Sequence, residues 1–196
     1  MLTKDSLSDE QLKEKHQKLA DEVMPHMRYY DDFPKKGVRF LDIFSVTEHP
    51  AHLRKILDAL RDLIHVKCGA PGTDYTHLAG LESKGFVLGP LLALELGLSF
   101  VPIRKKGKLP GECIQQSYDL EYGSDTIEIQ KHVLPKGSKV LVVDDLLATG
   151  GTLGAAEKII AQFEDVEIAA SILIFEIGVL KGREKLKAPV HTLIVV

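Results

Sequence analysis

The residues whose types and spacing suggest chemistry most clearly lie between Val140 and Thr152, in the sequence VLVVDDLLATGGT. An apolar run ends at two adjacent carboxylates, Asp144 and Asp145, and a loop of small residues then leads into a segment with helical spacing. Glycines let backbone N–H groups approach an anion closely, and the N-terminus of a helix adds partial positive charge. Adjacent carboxylates repel a phosphate but accept hydrogen bonds from neighbouring hydroxyls. The segment therefore predicts a binding site for a phosphorylated sugar.

The two parts of this segment would bind different parts of such a ligand. Asp144 and Asp145 would accept hydrogen bonds from the 2- and 3-hydroxyls of a ribose, and the loop would bind its 5-phosphate. The alternative is that the acids simply end a strand and Thr152 caps a helix, which we disfavour for the complete 13-residue arrangement. The segment matches neither Gly-x-x-x-x-Gly-Lys-Ser/Thr nor Gly-x-Gly-x-x-Gly. The loop residues assigned to the phosphate are Ala148, Thr149, Gly150, Gly151 and Thr152.

Two other stretches combine cations with turn-forming residues. The first is Glu82-Ser83-Lys84-Gly85, which follows a predicted strand and precedes a predicted helix. Ser83 is not placed as a serine nucleophile, because Gly80 stands three residues before it and a nucleophile elbow has its glycine two residues before the serine. The second stretch, 104–108, holds the densest group of basic residues in the chain. Taken alone, such a group is typical of a solvated surface.

Apolar spacing along the chain predicts strands that alternate with helices of about a dozen residues. This alternation is typical of an α/β protein with a mostly parallel sheet and helices on its faces. In such sheets, ligands bind at the carboxyl ends of the strands. A polar insertion at 105–125 carries few core signals. One predicted helix begins after the capping box Ser8–Gln11 and a second begins after Pro50. Two more predicted helices span 86–96 and 152–163. The predicted strands are 75–81, 99–104, 127–130, 139–143, 166–177 and 190–196.

Composition limits the classes of protein and partner. The chain has 196 residues, of which 44% are apolar and 27% charged, and this fits one folded domain rather than a disordered chain. Its 25 basic and 28 acidic side chains give a net charge of −3, so we expect neither nucleic acid nor a membrane as a partner. Cys68 and Cys113 have no disulfide or metal-ligand spacing, and residues 1–20 lack the apolar core of a signal peptide. These features predict a cytoplasmic protein.

Together, these stretches resemble a known family. Segment 140–152 is similar to the signature of the type I phosphoribosyltransferases, which use 5-phosphoribosyl-1-pyrophosphate. Other stretches are similar to the members of that family that act on adenine, and the resemblance runs from about Phe33 to Leu186. These stretches are Asp32-Phe33-Pro34 with Gly37-Val38, AGLESKGF at 79–86, RKKGKLPG at 104–111, SYDLEYG at 117–123 and KGREKL at 181–186.

The resemblance implies a fold, a reaction and an assembly. The fold is that of the type I phosphoribosyltransferases, a single domain over 1–196, with an N-terminal helix and base-binding hood in 1–45 and a flexible catalytic flap in 104–125. The reaction is transfer of the 5-phosphoribosyl group to adenine, giving AMP and pyrophosphate, with Mg²⁺ bound through the substrate and not directly by the protein. Family members are generally homodimers. The alternative is a regulatory or catalytically weak homologue that binds phosphoribosyl pyrophosphate or AMP.

The resemblance further implies which residues bind pyrophosphate. The turn at 82–85 would bind it through its backbone and a basic side chain, and the peptide bond between Glu82 and Ser83 would be cis. Many family members have arginine where this chain has Lys84, which keeps the charge and loses the bidentate geometry. The flap would close over the site and exclude water. The residues implied for pyrophosphate are Glu82, Ser83, Lys84, Arg104 and Lys108, and Lys105 is implied as a catalytic residue of the flap.

Adenine and its proton account for the remaining implied roles. Glu121 matches the glutamate proposed as the general acid/base on a ring nitrogen of adenine, and Tyr122 would position the flap or a hydroxyl. Backbone groups of Val38 and Leu41 would read the base, and Leu146 would line its pocket. Leu41 stands where the family commonly has an arginine. Adenine specificity is therefore inferred from the resemblance over the whole chain more than from the residues of the pocket.

Overall fold

The computed structural model describes residues 7–119 and 124–196. Within these residues the chain forms five α-helices, nine strands and three short 3₁₀ turns. The elements are α1 (Asp9–Val23), β1 (Arg28–Asp31), β2 (Arg39–Asp42), α2 (Phe44–Thr47), α3 (Pro50–Cys68), β3 (His77–Leu81), α4 (Gly85–Leu96), β4 (Ser99–Lys105), β5 (Cys113–Asp119), β6 (Ser124–Gln130), β7 (Lys139–Leu147), α5 (Gly151–Ile160), β8 (Glu167–Glu176) and β9 (Val190–Val195).

A seven-stranded sheet with the order β5-β6-β4-β3-β7-β8-β9 forms the centre of the fold. Strands β4, β3, β7, β8 and β9 are parallel, whereas β6 runs antiparallel to β4 and β5 antiparallel to β6. This confirms the predicted α/β class with a mostly parallel sheet. From β3 the chain moves outward to β4 and later returns to the other side of β3 as β7. The carboxyl ends of β3 and β7 therefore flank the crevice in which such sheets bind ligands.

Helices cover both faces of the sheet. The apolar sides of α1, α3 and α4 pack on one face, and α5 packs on the other. The capping box is confirmed, because Ser8 Oγ accepts from the Gln11 amide and the Gln11 side chain accepts from the Ser8 amide. Pro50 begins α3 as predicted, and Gly97 ends α4 in the left-handed conformation. No helix in the described part of the chain is both long and apolar enough to cross a membrane.

Three local predictions differ from the structure. The stretch 105–125, predicted as an insertion with few core signals, contributes most of the β5–β6 hairpin, and α5 covers this hairpin on one side. Strands β1 and β2, which were not predicted, form a separate hairpin whose first strand is exposed and whose second strand contributes Leu41 to the core. Strand β7 continues past Val143 to Leu147, because β8 extends beside it and pairs with it as far as Leu147 and Glu176. The two aspartates therefore lie within a strand rather than just after one.

Four partly buried histidines predict that the fold loses stability in mild acid. Burial lowers the pKa of His16, His52, His77 and His191, so these rings stay neutral in the folded chain. In the unfolded chain each ring takes up a proton near pH 6.5. The free energy of unfolding should therefore be fully present above about pH 6.5 and fall as the pH drops through that value.

Urea denaturation at about pH 7.5 and about pH 5.5 measures this loss across the histidine range. His16→Gln is the matched variant, because the Nε2 atom of His16 is buried with no hydrogen-bond partner. The midpoint should decrease less on acidification in this variant than in the wild type. An equal fall in the midpoint of the wild type and of His16→Gln would show that His16 does not contribute to the loss.

Candidate active site

Two loops meet at the carboxyl ends of β3 and β7. Residues 82–85 run from β3 into the start of α4, and residues 148–152 run from β7 into the first turn of α5. They are called the pyrophosphate loop and the phosphate loop after the ligands that the sequence analysis predicts for them. Gly85 begins α4 directly against β7, where an added Cβ would lie 2.5 Å from the Val143 carbonyl oxygen. Glycine at position 85 thus lets the first turn of α4 approach the strand that carries the two aspartates.

The phosphate loop has the geometry expected of an anion site. Gly150, at φ +80°, occupies the N-cap position of the ten-residue helix α5, and its carbonyl accepts from the Gly154 amide. The loop is half-exposed apart from Gly150, which is buried. Both threonines, Thr149 and Thr152, stand at this helix start. Backbone N–H groups in the first turn of a helix have no intrahelical partner, so they are available to a phosphate.

The two carboxylates differ in environment. Asp145 is buried and Asp144 is half-buried, and the Asp145 amide donates to Asp144 Oδ1 at 2.9 Å. Burial raises the pKa of Asp144 well above its ordinary range, and the charge of Asp145 adds to this rise. The carboxyl oxygens can accept hydrogen bonds from hydroxyl groups, which add no charge to the site. The pair is therefore suited to two neighbouring hydroxyls.

Lys84 connects the pyrophosphate loop to this pair. Its Nζ lies 3.0 Å from Asp145 Oδ2, and both side chains are largely buried. The same Nζ lies 4.7 Å from the centroid of the Phe40 ring. Phe40, which the sequence analysis did not single out, places an aromatic face at the site, and no local sequence pattern indicates this role.

Glu82 and Arg104 join the pyrophosphate loop to the base of the flap. The carboxylate of Glu82 accepts from Arg104 Nε and Nη2, each at 3.0 Å, and from the Lys105 amide at 3.1 Å. The hydrogen bond from Arg104 lowers the pKa of Glu82. Arg104 Nη1 also donates to the Lys108 carbonyl at 3.0 Å. Arg104 is thus tied into the protein, and the peptide bond between Glu82 and Ser83 is cis, as the resemblance implies.

A buried glutamate that the sequence analysis missed anchors the flap. Glu128 is 2% exposed and accepts from the amides of Lys108 and Leu109, each at 2.8 Å. Burial opposes its ionisation, yet these backbone hydrogen bonds leave its pKa below the ordinary value. Lys105 Nζ lies 3.0 Å from Asp125 Oδ2. The signal for Glu128 was its position between two apolar residues of a predicted strand.

The residues assigned to adenine lie in different environments. The Leu41 side chain belongs to the main core, and Leu146 packs partly against that core. The Val38 amide donates to the Lys35 carbonyl and the Val38 carbonyl accepts from Phe33, each at 3.2 Å, so the Val38 amide is already used. Arg39, the nearest candidate to replace the family's arginine, lies over the Tyr29 ring. Glu121 and Tyr122 lie outside the described residues.

Comparison with known proteins agrees with this geometry. Residues 45–193 match the family model for the phosphoribosyl transferase domain. The chain is 43% identical over 175 residues to adenine phosphoribosyltransferase 1 of Saccharomyces cerevisiae, across 89% of this chain and 92% of that protein. It is 47% identical over 164 residues to adenine phosphoribosyltransferase of Cricetulus griseus, across 84% and 89% of the two chains.

A solved structure of an adenine phosphoribosyltransferase is also similar to this chain. The S. cerevisiae adenine phosphoribosyltransferase, crystallised with adenine and D-2,5-dideoxy-2,5-imino-altritol 1,6-bisphosphate, matches with a TM-score of 0.85 and 41% identity, over 91% of this chain and 99% of that one. The chain belongs to the phosphoribosyltransferase family and, within it, to the adenine phosphoribosyltransferases. Because these relatives are transferases, the regulatory alternative is not favoured.

Glu82→Gln should loosen the base of the flap. The substitution keeps the size of the side chain and removes the charge that accepts from Arg104 and the Lys105 amide. A hydrogen bond to a charged group contributes about 1.5–3 kcal/mol, so we expect hydrogen exchange at the Lys105 amide to rise about tenfold or more. Glu112→Gln, which removes an exposed ion pair with Lys131, is the control. Unchanged exchange at Lys105 would contradict the anchoring role of Glu82.

Proposed function

We propose that this chain transfers the 5-phosphoribosyl group of 5-phosphoribosyl-1-pyrophosphate to adenine and so makes AMP and pyrophosphate for purine salvage. The bond from ribose C1 to the pyrophosphate oxygen breaks, a bond from C1 to N9 of adenine forms, and the N9 proton is released. The single observation that carries the proposal is the pair Asp144–Asp145 beside a phosphate loop at a helix start. Few ligands other than a ribose phosphate need both features together.

The donor would span β7 and α5. Its 2- and 3-hydroxyls would bind Asp144 and Asp145, and its 5-phosphate would bind the amides and hydroxyls of the phosphate loop, with Thr149 and Thr152 donating. Asp145 would exchange its contact with Lys84 for a hydroxyl, which would free the Lys84 charge for pyrophosphate. The 3.0 Å separation of these two groups supports this exchange.

Pyrophosphate would leave toward the pyrophosphate loop and the flap. Ser83 would contribute backbone groups, and Lys84, Lys105 and Lys108 would contribute positive charge. Glu82 and Arg104 support this arrangement indirectly, because their ion pair fixes the loop relative to the start of the flap. Exclusion of water by the flap would protect a reactive centre of oxocarbenium character, by analogy with glycoside chemistry.

Mg²⁺ fits a site in which the substrate supplies most of its ligands. Asp144 and Asp145 are the two carboxylates beside the loops that would bind the donor, and Asp145 lies 3.0 Å from Lys84. Mg²⁺ keeps several waters and binds few carboxylates when phosphates are present. When bound, it would neutralise negative charge on the pyrophosphate, and Asp144 would be the side chain available to help hold it.

Adenine would lie between the hood and the end of β7. Phe40 supports this placement, because its ring lies beside Lys84. Leu146, half-buried at the end of β7, would line the pocket, with backbone groups at Val38 and Leu41 reading the base. Glu121 would accept the proton released from adenine, and Tyr122 would position the flap.

We further propose a cytoplasmic homodimer. Helix α4 is apolar except for Glu95, and Leu94 on its outer face is 81% exposed, with Leu91 nearby at 38%. Exposed apolar side chains on a rigid helix suit an interface between copies of this chain. Sedimentation of the purified protein tests the proposed assembly, and fractionation of the source cells tests the location.

Turnover of labelled adenine with the pyrophosphate donor and Mg²⁺ tests the proposed reaction. Labelled AMP and one pyrophosphate per AMP are expected, with much slower reaction of hypoxanthine and guanine. Binding of ribose 5-phosphate, measured by calorimetry in parallel, reports on the donor site alone. No AMP in a preparation that binds ribose 5-phosphate would sink the enzyme function and leave a binding protein.

Asp144→Asn should weaken donor binding more than adenine binding. The amide keeps the size of the side chain but changes one acceptor of a ribose hydroxyl into a donor. We expect the KM for the donor to rise about tenfold, the cost of about one good hydrogen bond. Glu164→Gln, which changes an exposed residue in the turn between α5 and β8, is the control. A loss confined to adenine affinity would contradict the ribose assignment.

Glu121→Gln should lower kcat and leave ribose 5-phosphate affinity nearly intact. The amide cannot take the proton that adenine releases, and general-base catalysis contributes about 100-fold or more. The pH profile of kcat should also lose its acidic limb. An unchanged kcat with an unchanged profile would remove Glu121 from the mechanism.

A further inference from the structure

The motif KGREKL at 181–186 has no part in the chemistry proposed above. It lies in the connection between β8 and β9, residues 177–189, which contains two short 3₁₀ turns, Gly178–Leu180 and Gly182–Lys185. Lys181 stands between these turns at φ +50°. The connection begins beside the end of β7, where the Ile177 amide donates to the Leu147 carbonyl at 2.9 Å. It therefore lies next to the phosphate loop from its first residue.

Gly182 and Gly150 bring the two backbones into direct contact. A Cβ added at Gly182 would collide with the Ala148 carbonyl oxygen and lie 3.0 Å from the Gly150 nitrogen. A Cβ added at Gly150 would lie 2.6 Å from the Gly182 carbonyl oxygen. Position 182 has no positive φ, so space alone requires glycine there. At Gly150 both the space and the φ of +80° require it.

Arg183 fixes this contact from behind. Its Nε donates to Glu176 Oε1 at 3.1 Å, its Nη2 donates to Glu176 Oε2, and its Nη1 donates to the Val190 carbonyl. Glu176 is buried at the end of β8 and also accepts from Thr192 Oγ1 at 3.3 Å. The hydrogen bond from Arg183 lowers the pKa of Glu176. One guanidinium therefore ties the residue after Gly182 to two sheet strands.

We propose that Gly182 and Arg183 are positioning residues for donor binding. Arg183 is hydrogen-bonded to Glu176 and Val190, and it keeps the Gly182 backbone in contact with Ala148 and Gly150. This contact holds the phosphate loop in its anion-binding shape. The proposal rests on the proposed function only in naming the ligand as a ribose phosphate. A loop held in its bound shape before the ligand arrives loses less entropy on binding. The effect should therefore fall on the phosphate end of the donor and leave adenine unaffected.

Gly182→Ala is the direct test, and Gly154→Ala is its matched control. A Cβ added at Gly154 would lie 3.8 Å from Leu186 Cδ2, which is an ordinary contact. Gly154 lies in α5, the helix that follows the phosphate loop. Displacement of a binding loop by about 1 Å can cost as much as 100-fold, so we expect the Gly182→Ala variant to raise the KM for the donor about tenfold or more. The Kd for ribose 5-phosphate should rise in proportion, with the KM for adenine and the kcat at saturating donor within about twofold of wild type. Gly154→Ala should leave all four quantities unchanged.

A second variant covers the outcome in which Gly182→Ala fails to fold. Arg183→Met alone would leave Glu176 buried and unpaired, so the double variant Glu176→Gln/Arg183→Met removes both charges together. This double variant should fold and show the same selective rise in the Kd for ribose 5-phosphate. Arg183→Lys with native Glu176 should bind ribose 5-phosphate more tightly than the double variant does.

The possible outcomes distinguish the positioning role of Gly182 and Arg183 from the proposed reaction. A folded variant with lower thermal stability but unchanged ribose 5-phosphate Kd and donor KM would overturn the positioning role. A wild-type protein that binds ribose 5-phosphate and makes no AMP would instead overturn the proposed reaction, and the Kd values would still decide the role of Gly182 and Arg183.

Discussion

Two carboxylates side by side in a largely buried strand end create the electrostatic problem on which this structure depends. Burial and the neighbouring charge of Asp145 both oppose ionisation of Asp144 and raise its pKa. Lys84 offsets one of the charges directly through its 3.0 Å contact with Asp145. Hydroxyl groups of a ligand can donate hydrogen bonds to the carboxyl oxygens without adding charge to the site. A site that repels free anions at one end and attracts a phosphate at the other favours a ligand that has both a diol and a phosphate.

Close backbone contact supplies the geometry for this arrangement. Gly85 lets α4 start against β7, which brings Lys84 to Asp145. Gly150 and Gly182 let the β8–β9 connection contact the backbone of the phosphate loop directly. At each of these positions a side chain would collide with a backbone atom rather than with a movable side chain. The site is therefore shaped mainly by main-chain packing, and its charged groups are placed on loops that this packing holds.

The sequence predicted those parts of the fold and site that depend on local pattern. Helix starts at Ser8 and Pro50, the stop at Gly97 and the alternation of strands and helices all follow from the chemistry of a few neighbouring residues. The aspartate pair and the glycine loop were identifiable because their chemistry lies within one short segment.

What the sequence could not predict depends on partners distant along the chain. The β5–β6 hairpin has a polar sequence and becomes a strand pair because α5 covers it. The extension of β7 depends on β8, and the connection of Lys84 to Asp145 crosses 61 positions of the chain. Phe40 and Glu128 were missed for the same reason, since each gains its role from a residue that no local pattern links to it.

A crystal structure with ribose 5-phosphate bound measures the central claim most directly. The account predicts the 2- and 3-hydroxyls within hydrogen-bond distance of Asp144 and Asp145, with the phosphate on the amides of residues 149–152 and Lys84 Nζ released from Asp145. A phosphate bound elsewhere, or a ribose whose hydroxyls contact neither aspartate, would contradict it.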